Sequence, residues 1–289
     1  MIKTFQVGDM TIHRIIEMEE AFIPALDMLP GLTPEMLAEN RAWLQPAAMD
    51  ARDWLVLCFQ SYVVQTPHHT ILLDSCIGND KDRPRPRWHH KQDGVYLAEL
   101  ATVGLSVADI DYVMCSHFHA DHVGWNTRLE NGIWVPTFPN ARYVFAEAEY
   151  VLWVGKHAQE AVPAFADSVL PIIAANRADL VGSDFQLGDH VRLMPTPGHT
   201  AGHVAMQLGR NFTEAVFTGD LIHSPLQARY PELSPRFDMD PAQAATTRRA
   251  FLERYCDTPT LCCAAHFPSP SVGRIKRWGE GFRCDPITP

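Results

Sequence analysis

Between residues 115 and 125 the chain reads CSHFHADHVGW, which puts His117, His119, Asp121 and His122 within six positions. Three imidazoles and a carboxylate held this close are costly to gather unless a cation sits among them. Imidazole and carboxylate donors without thiolate suit Zn²⁺, and also Mn²⁺, Fe²⁺ or Co²⁺. Two histidines at i and i+2 leaving a strand point the same way and can grip one ion. Asp121 and His122, in the following turn, can grip a second.

Further donors stand where other apolar runs stop. DYVMCS leads into His117, VRLMPTPG into His199, AVFTG into Asp220 and TLCCAA into His266. Sites in open α/β sheets gather beyond the carboxyl ends of strands. Counting donors assigns His117, His119 and His199 to one metal and Asp121, His122 and His266 to the other, with Asp220 bridging both. Two cations roughly 3.5–4 Å apart can share a hydroxide, because a bound water's pKa falls to about 7. Hydrolysis by attack of that bridging hydroxide is the expected chemistry. Gly124, Gly198 and Gly219 are expected to let the backbone turn sharply beside the ligands.

Short apolar runs alternating with helical patterns indicate an α/β architecture. The patterning predicts strands at 11–17, 55–65, 70–74, 111–115, 142–146, 190–194, 203–208, 214–218 and 260–265. It predicts helices near 34–43, 95–104, 147–155, 161–175 and 241–256. Asp240 and Pro241 give the last of these a cap and a first-turn proline. Segments 20–50, 79–94 and 223–239 read as long connections or excursions bordering the active site. Within them Trp88, His89 and His90 suggest either a lid or a solvated loop, and Arg83, Arg85 and Arg87 read as exposed charge. His13 reads as a satisfied core or edge histidine.

Composition bounds the rest. The 289 residues, 46% hydrophobic and 20% charged, fit one domain spanning 1–289 with a substantial core. With 24 Lys+Arg against 34 Asp+Glu, the formal charge of −10 repels a phosphate backbone and disfavours nucleic acid as partner. No stretch approaches the roughly 20 apolar residues of a membrane span, and MIKTFQVGDMTIHRII is a poor secretory signal. Seven cysteines without a C-x-x-C spacing read as reduced thiols, mostly buried, in a cytoplasmic protein.

The motifs His117-Phe118-His119-Ala120-Asp121-His122, Pro197-Gly198-His199-Thr200 and Thr218-Gly219-Asp220, with a late His266, resemble those of the metallo-β-lactamase superfamily in order and spacing. The resemblance implies a four-layer αβ/βα sandwich with the site at the sheet edge. It also implies two divalent metal ions, Zn²⁺ foremost. The best-known zinc β-lactamases carry Cys where this chain has Asp220, which disfavours antibiotic hydrolysis. Flavin-linked diiron relatives carry Glu where this chain has His119, which favours hydrolysis over redox work. Length, the lead-in and Trp125-Asn126 resemble the quorum-quenching acyl-homoserine lactone lactonases and the methyl parathion hydrolases. Many such lactonases place Tyr three residues after the bridging Asp; here that position is His223.

The resemblance therefore implies a lactone or related ester as small-molecule substrate, with Asp121 and His223 catalytic. Phe22, Met28, Leu29, Trp88, Phe118 and His223 are the expected substrate contacts. His203 is expected to brace a ligand rather than bind metal. Dimers are common in this branch, so a homodimer is an expectation of the same kind. A phosphotriesterase or aryl-ester hydrolase remains open, since phosphorus and carbonyl centres both accept such a nucleophile. A glyoxalase-II-like thioesterase is disfavoured because the C-terminal part lacks an obvious basic helix for glutathione.

Overall fold

The computed structural model describes residues 3–287, and the expected alternation of strands and helices is in it. Its contacts divide the chain into two units, one of residues 3–17 and 59–185, the other of residues 18–58 and those from 186 onward.

The first sheet runs in the order β1 (Thr4–Val7), β2 (Met10–Pro24), β3 (Trp54–Gln65), β4 (Thr70–Leu73), β5 (Tyr112–Cys115), β8 (Arg142–Ala146), β9 (Ala178–Val181). A separate hairpin pairs β6 (Thr127–Glu130) with β7 (Ile133–Pro136). The last four strands of that sheet are mutually parallel. Parallel strands are covered on both faces, and β5 (YVMC) is accordingly buried at Val113, Met114 and Cys115. Helices α1 (Ala25–Met28) and α2 (Pro34–Leu44) belong to the other unit. Here α3 (Val95–Thr102), α4 (Ala120–Val123), α5 (Glu147–Gln159), α6 (Pro163–Ser168) and α7 (Leu170–Ala174) follow in turn. Tyr96, Leu100, Trp153, Phe165 and Ile172 from the helices share one core with Val63, Leu72, Val113 and Phe145 from the strands. Each such side chain contributes about 1.5–3 kcal/mol.

The second sheet runs β10 (Gln186–Leu187), β11 (Val191–Pro195), β12 (Val204–Leu208), β13 (Ala215–Phe217), β14 (Leu261–Cys263), β15 (Val272–Trp278), β16 (Gly281–Pro286). Helices α8 (Pro225–Arg229) and α9 (Pro241–Tyr255) complete the unit. Asp240 caps α9 by accepting from Gln243 N at 3.0 Å, and Phe251, Leu252 and Tyr255 lie in a core with Val216, Ile275 and Phe282. Pairing fixes direction: β12 is antiparallel to both β11 and β13, and β14 is parallel to β13. So β11, β13 and β14 all run the same way and end at one edge.

Two expectations need correction. The helix at 161–175 is broken into α6 and α7, because Val169 leaves ideal helical geometry (φ −114°) and Pro171 has no N–H to donate. Arg83 is buried, not exposed: its guanidinium grips both Asp167 carboxylate oxygens at 2.7 and 2.9 Å. Lys81 is buried beside it, 2.6 Å from Thr127 Oγ1 and 3.6 Å from Asp167. Lys91 pairs with Glu17 at 2.8 Å. These pairs pin the polar segment 79–94 to its own unit. All seven cysteines are free thiols, five of them buried. No helix among the described residues is long and apolar enough to cross a membrane.

Candidate metal centre

Each unit carries its own share of the donors. In the first, β4 and β5 are adjacent and parallel, so Asp74 and Ser116, just past their ends, meet at one edge. Ser116 N and Oγ donate to Asp74 at 2.6 and 2.8 Å. His117 follows, with Nδ1 3.0 Å from Ser116 Oγ and Nε2 3.0 Å from His119 Nδ1. The alternate histidines do converge, through unlike ring nitrogens. The single turn α4 then presents Asp121 and His122. His122 Nδ1 donates to Asp74 Oδ2 at 2.6 Å, which leaves Nε2, 3.7 Å from Asp121 Oδ2, as its donor atom. A carboxylate behind a ligating histidine fixes its tautomer and raises its basicity. His119 stands edge-on to Trp153 at 5.5 Å, and Glu149 holds that indole at 2.6 Å.

In the second unit, the shared direction of β11, β13 and β14 delivers His199, Asp220 and His266 to one edge. His199 Nε2 lies 3.2 Å from Asp220 Oδ2, and His266 Nε2 lies 2.9 Å from Asp220 Oδ1. Both imidazoles are braced from behind. His199 Nδ1 meets Asp238 at 2.9 Å, itself paired with buried Arg248, and His266 Nδ1 donates to the Cys58 carbonyl at 2.9 Å. His203 has both ring nitrogens occupied, by Thr196 Oγ1 at 2.8 Å and by the Asp220 N–H at 2.9 Å. It holds the main chain of Asp220 in place, with both nitrogens engaged by protein groups. His223 Nε2 also reaches Asp220 Oδ2, at 3.1 Å.

The electrostatics favour cations. Burial alone would lower the pKa of His199, but Asp220 and Asp238 overcome it and lift it to about 9. Burial likewise opposes ionisation of Asp238, yet His199 and Arg248 hold its carboxyl below the usual range. For His223 burial prevails over Asp220, and its pKa is lowered. Carboxylates that draw a proton onto a buried imidazole draw metal ions to the same nitrogen.

Two glycines have distinct roles. Gly198 has φ +133°, and a Cβ there would come 2.3 Å from Ala244 N. Gly124 has an ordinary helical φ of −58°, so it makes no sharp turn as expected; a Cβ would lie 1.9 Å from the Ile77 carbonyl oxygen, and close approach is the reason only glycine fits.

A family model described as the metallo-beta-lactamase superfamily matches residues 60–266. The chain belongs to that superfamily. The solved structure of hydrolase AbOPH, in the beta lactamase superfamily, matches with a TM-score of 0.82 at 22% identity, over 99% of this chain and 97% of that one. AidC, a dizinc quorum-quenching lactonase in complex with a product, matches at 0.79 and 21% identity, over the same shares. At these identities the likeness shows the metallo-β-lactamase fold. N-acyl homoserine lactonases of Bacillus sp and Bacillus cereus are 29% and 28% identical over 107 residues, 37% of this chain and 36% of each relative. The matched segment thus spans about a third of those curated relatives.

The expected substrate contacts belong to both units: Trp88 and Phe118 to the first, Phe22, Met28, Leu29 and His223 to the second. Phe118 is buried edge-on against Phe145 at 4.9 Å, inside the core of its unit. Trp88 packs on Phe59 at 5.2 Å and is 7% exposed. Met28 and Leu29 are fully buried and Phe22 half-buried. The Met28 carbonyl accepts from Arg236 N at 2.8 Å, which ties segment 20–50 to segment 223–239. Sequence reasoning missed Asp74, Asp238 and Glu149. Asp74 had a signal, since it closes the buried run TILLD at a strand end; the other two had none.

Proposed function

We propose that the chain is a dinuclear metal-dependent hydrolase that opens lactones or related esters. The observation that carries this reading is the division of Asp220, whose two oxygens face the Nε2 atoms of different histidines at 3.2 and 2.9 Å. A carboxylate so placed suits a bridge between two ions. His117, His119 and His199 would hold one, Asp121, His122 and His266 the other, and Asp220 both. The donor set of nitrogen and oxygen without thiolate fits Zn²⁺ first. Two such ions, when bound, supply Lewis acidity toward a carbonyl oxygen and a hydroxide at neutral pH.

The remaining work falls to side chains. Asp121 is half-buried, so it can exchange a proton with solvent and pass it to the departing alkoxide. His223 stands against Asp220 and would serve the carbonyl oxygen in place of the tyrosine of many lactonases. Segments 20–50, 79–94 and 223–239 would border the site, with Phe22, Met28, Leu29 and Trp88 on the acyl side. The names borne by the Bacillus relatives and by AidC support acyl-homoserine lactones as substrate class. Seven free thiols suit a reducing compartment such as the cytoplasm.

The test pairs metal analysis with a panel of homoserine lactones, aliphatic lactones, aryl esters, thioesters and phosphotriesters. Two ions per chain and fastest turnover of a homoserine lactone are expected. His119→Ala should lower kcat/KM by about 10² or more, since a ligand is lost. Fewer than one ion per chain, or preference for a phosphotriester or thioester, overturns the reading.

A further inference from the structure

Asp220 has an imidazole neighbour that the seven-residue donor set leaves unused. His223 is 3% exposed, and its Nε2 lies 3.1 Å from the same Asp220 oxygen that His199 approaches at 3.2 Å. Its ring stacks on that of His266, with an interplanar angle of 9° and centroids 5.3 Å apart. One donor atom each from Asp220, His223 and His266 falls within 4.8 Å of the others. Ligands bound tetrahedrally at about 2.0–2.1 Å stand roughly 3.3 Å apart. By separation from Asp220, His223 is therefore as well placed as His199. Its backbone is fixed too: Gln227 Oε1 accepts from His223 N at 2.8 Å within the capping box that starts α8.

The other ring nitrogen distinguishes two states. His223 Nδ1 is buried and has no hydrogen-bond partner among the described residues. A neutral imidazole carries one proton. With that proton on Nε2, donated to Asp220, Nδ1 is a bare acceptor with no donor facing it. With the Nε2 lone pair on a metal ion, the proton sits on Nδ1, and the orphaned atom becomes a donor.

We propose that His223 is an additional metal ligand, through Nε2, of an ion held by Asp220, and that ligation fixes the ring proton on the buried Nδ1. This rests on the dinuclear reading above. His199 and His266 have Asp238 and the Cys58 carbonyl behind them, whereas His223 Nδ1 has no such brace, so His223 is more easily displaced than either.

Co²⁺-substituted protein tests this without reference to turnover. The seven-residue set contains five histidines, each giving one paramagnetically shifted, exchangeable imidazole N–H proton signal. Ligation by His223 adds a sixth, lost in His223→Leu together with about tenfold or greater weakening of one ion. A melt of the metal-free variant checks that it folds. Should it not fold, the resonance count in the ¹⁵N-histidine-labelled native chain decides alone. Five signals with two ions bound refute ligation by His223 and leave the dinuclear reading standing. Fewer than one ion per chain refutes both.

Discussion

Replacing Asp74 by Asn removes a charge and one acceptor while leaving the backbone content, because Asp74 has φ +54°, a conformation Asn tolerates. The carboxylate now takes three hydrogen bonds, from Ser116 N, Ser116 Oγ and His122 Nδ1, all at 2.6–2.8 Å. An amide can accept two of them on its oxygen and must turn its own N–H₂ toward the third donor. Oδ2 accepts both Ser116 Oγ and His122 Nδ1, so an amide oxygen there turns its N–H₂ toward Ser116 N, and the reverse orientation turns it toward His122. Either way the bond to His122 loses its charge assistance, worth about 1.5–3 kcal/mol in a buried site. Without the carboxylate charge behind it, His122 becomes less basic. Loss of such a brace weakens a metal site by about 10–100-fold, or about 1.4–2.8 kcal/mol. On the proposed dinuclear reading, competition against a chromophoric zinc chelator distinguishes two ions. The ion that uses His122 should weaken by that factor and the other by less than about threefold. Equal weakening of both, or none, refutes the assignment of His122 and the role given to Asp74.

Three other outcomes follow from the structure. Burial, joined by Arg83 and only partly offset by Asp167, lowers the Lys81 pKa from 10.5 to about 7. The unfolded chain then binds the extra proton between those values, so this group makes stability rise with pH from about 7 to about 10.5, by at most about 4–5 kcal/mol. Lys81→Met, which leaves Arg83 and Asp167 as a balanced pair, should stabilise the protein at pH 6 and flatten that rise in urea unfolding. Gly198→Ala meets both a left-handed φ and the Ala244 backbone, and should cost about 2–4 kcal/mol of stability with weaker zinc binding, read by melting and chelator competition. Zinc in hundredfold excess over a site's Kd should stabilise the native chain by about 2.7 kcal/mol per ion bound, reversed by a chelator.

The donors were legible because each stands at the end of an apolar run and four share one six-residue stretch. Their braces were not, since His122 finds Asp74 48 residues away and His199 finds Asp238 39 residues away. Sequence spacing says nothing of such pairs until the strands are in register. Strands β15 and β16 went unread for a different reason: Arg274, Lys276 and Arg277 dilute the apolar signal of Val272 and Ile275, and the buried residues of β15 (Val272, Gly273 and Ile275) do not alternate. The split at Pro171 was a local signal that the surrounding Ala- and Ile-rich pattern outweighed. Arg83 shows the limit of reading charge as exposure, because its partner Asp167 lies 84 residues away, in α6.

Because β11, β13 and β14 emerge in one direction from a hydrogen-bonded ladder, His199, Asp220 and His266 are located by main chain rather than by the excursions around them. The ladder acts as a jig. Segment 20–50 can be redrawn by insertion or graft while the jig keeps its spacing, and segment 223–239 wherever His223 and Asp238 are kept, so libraries confined to those positions would vary the surroundings of an unchanged donor set.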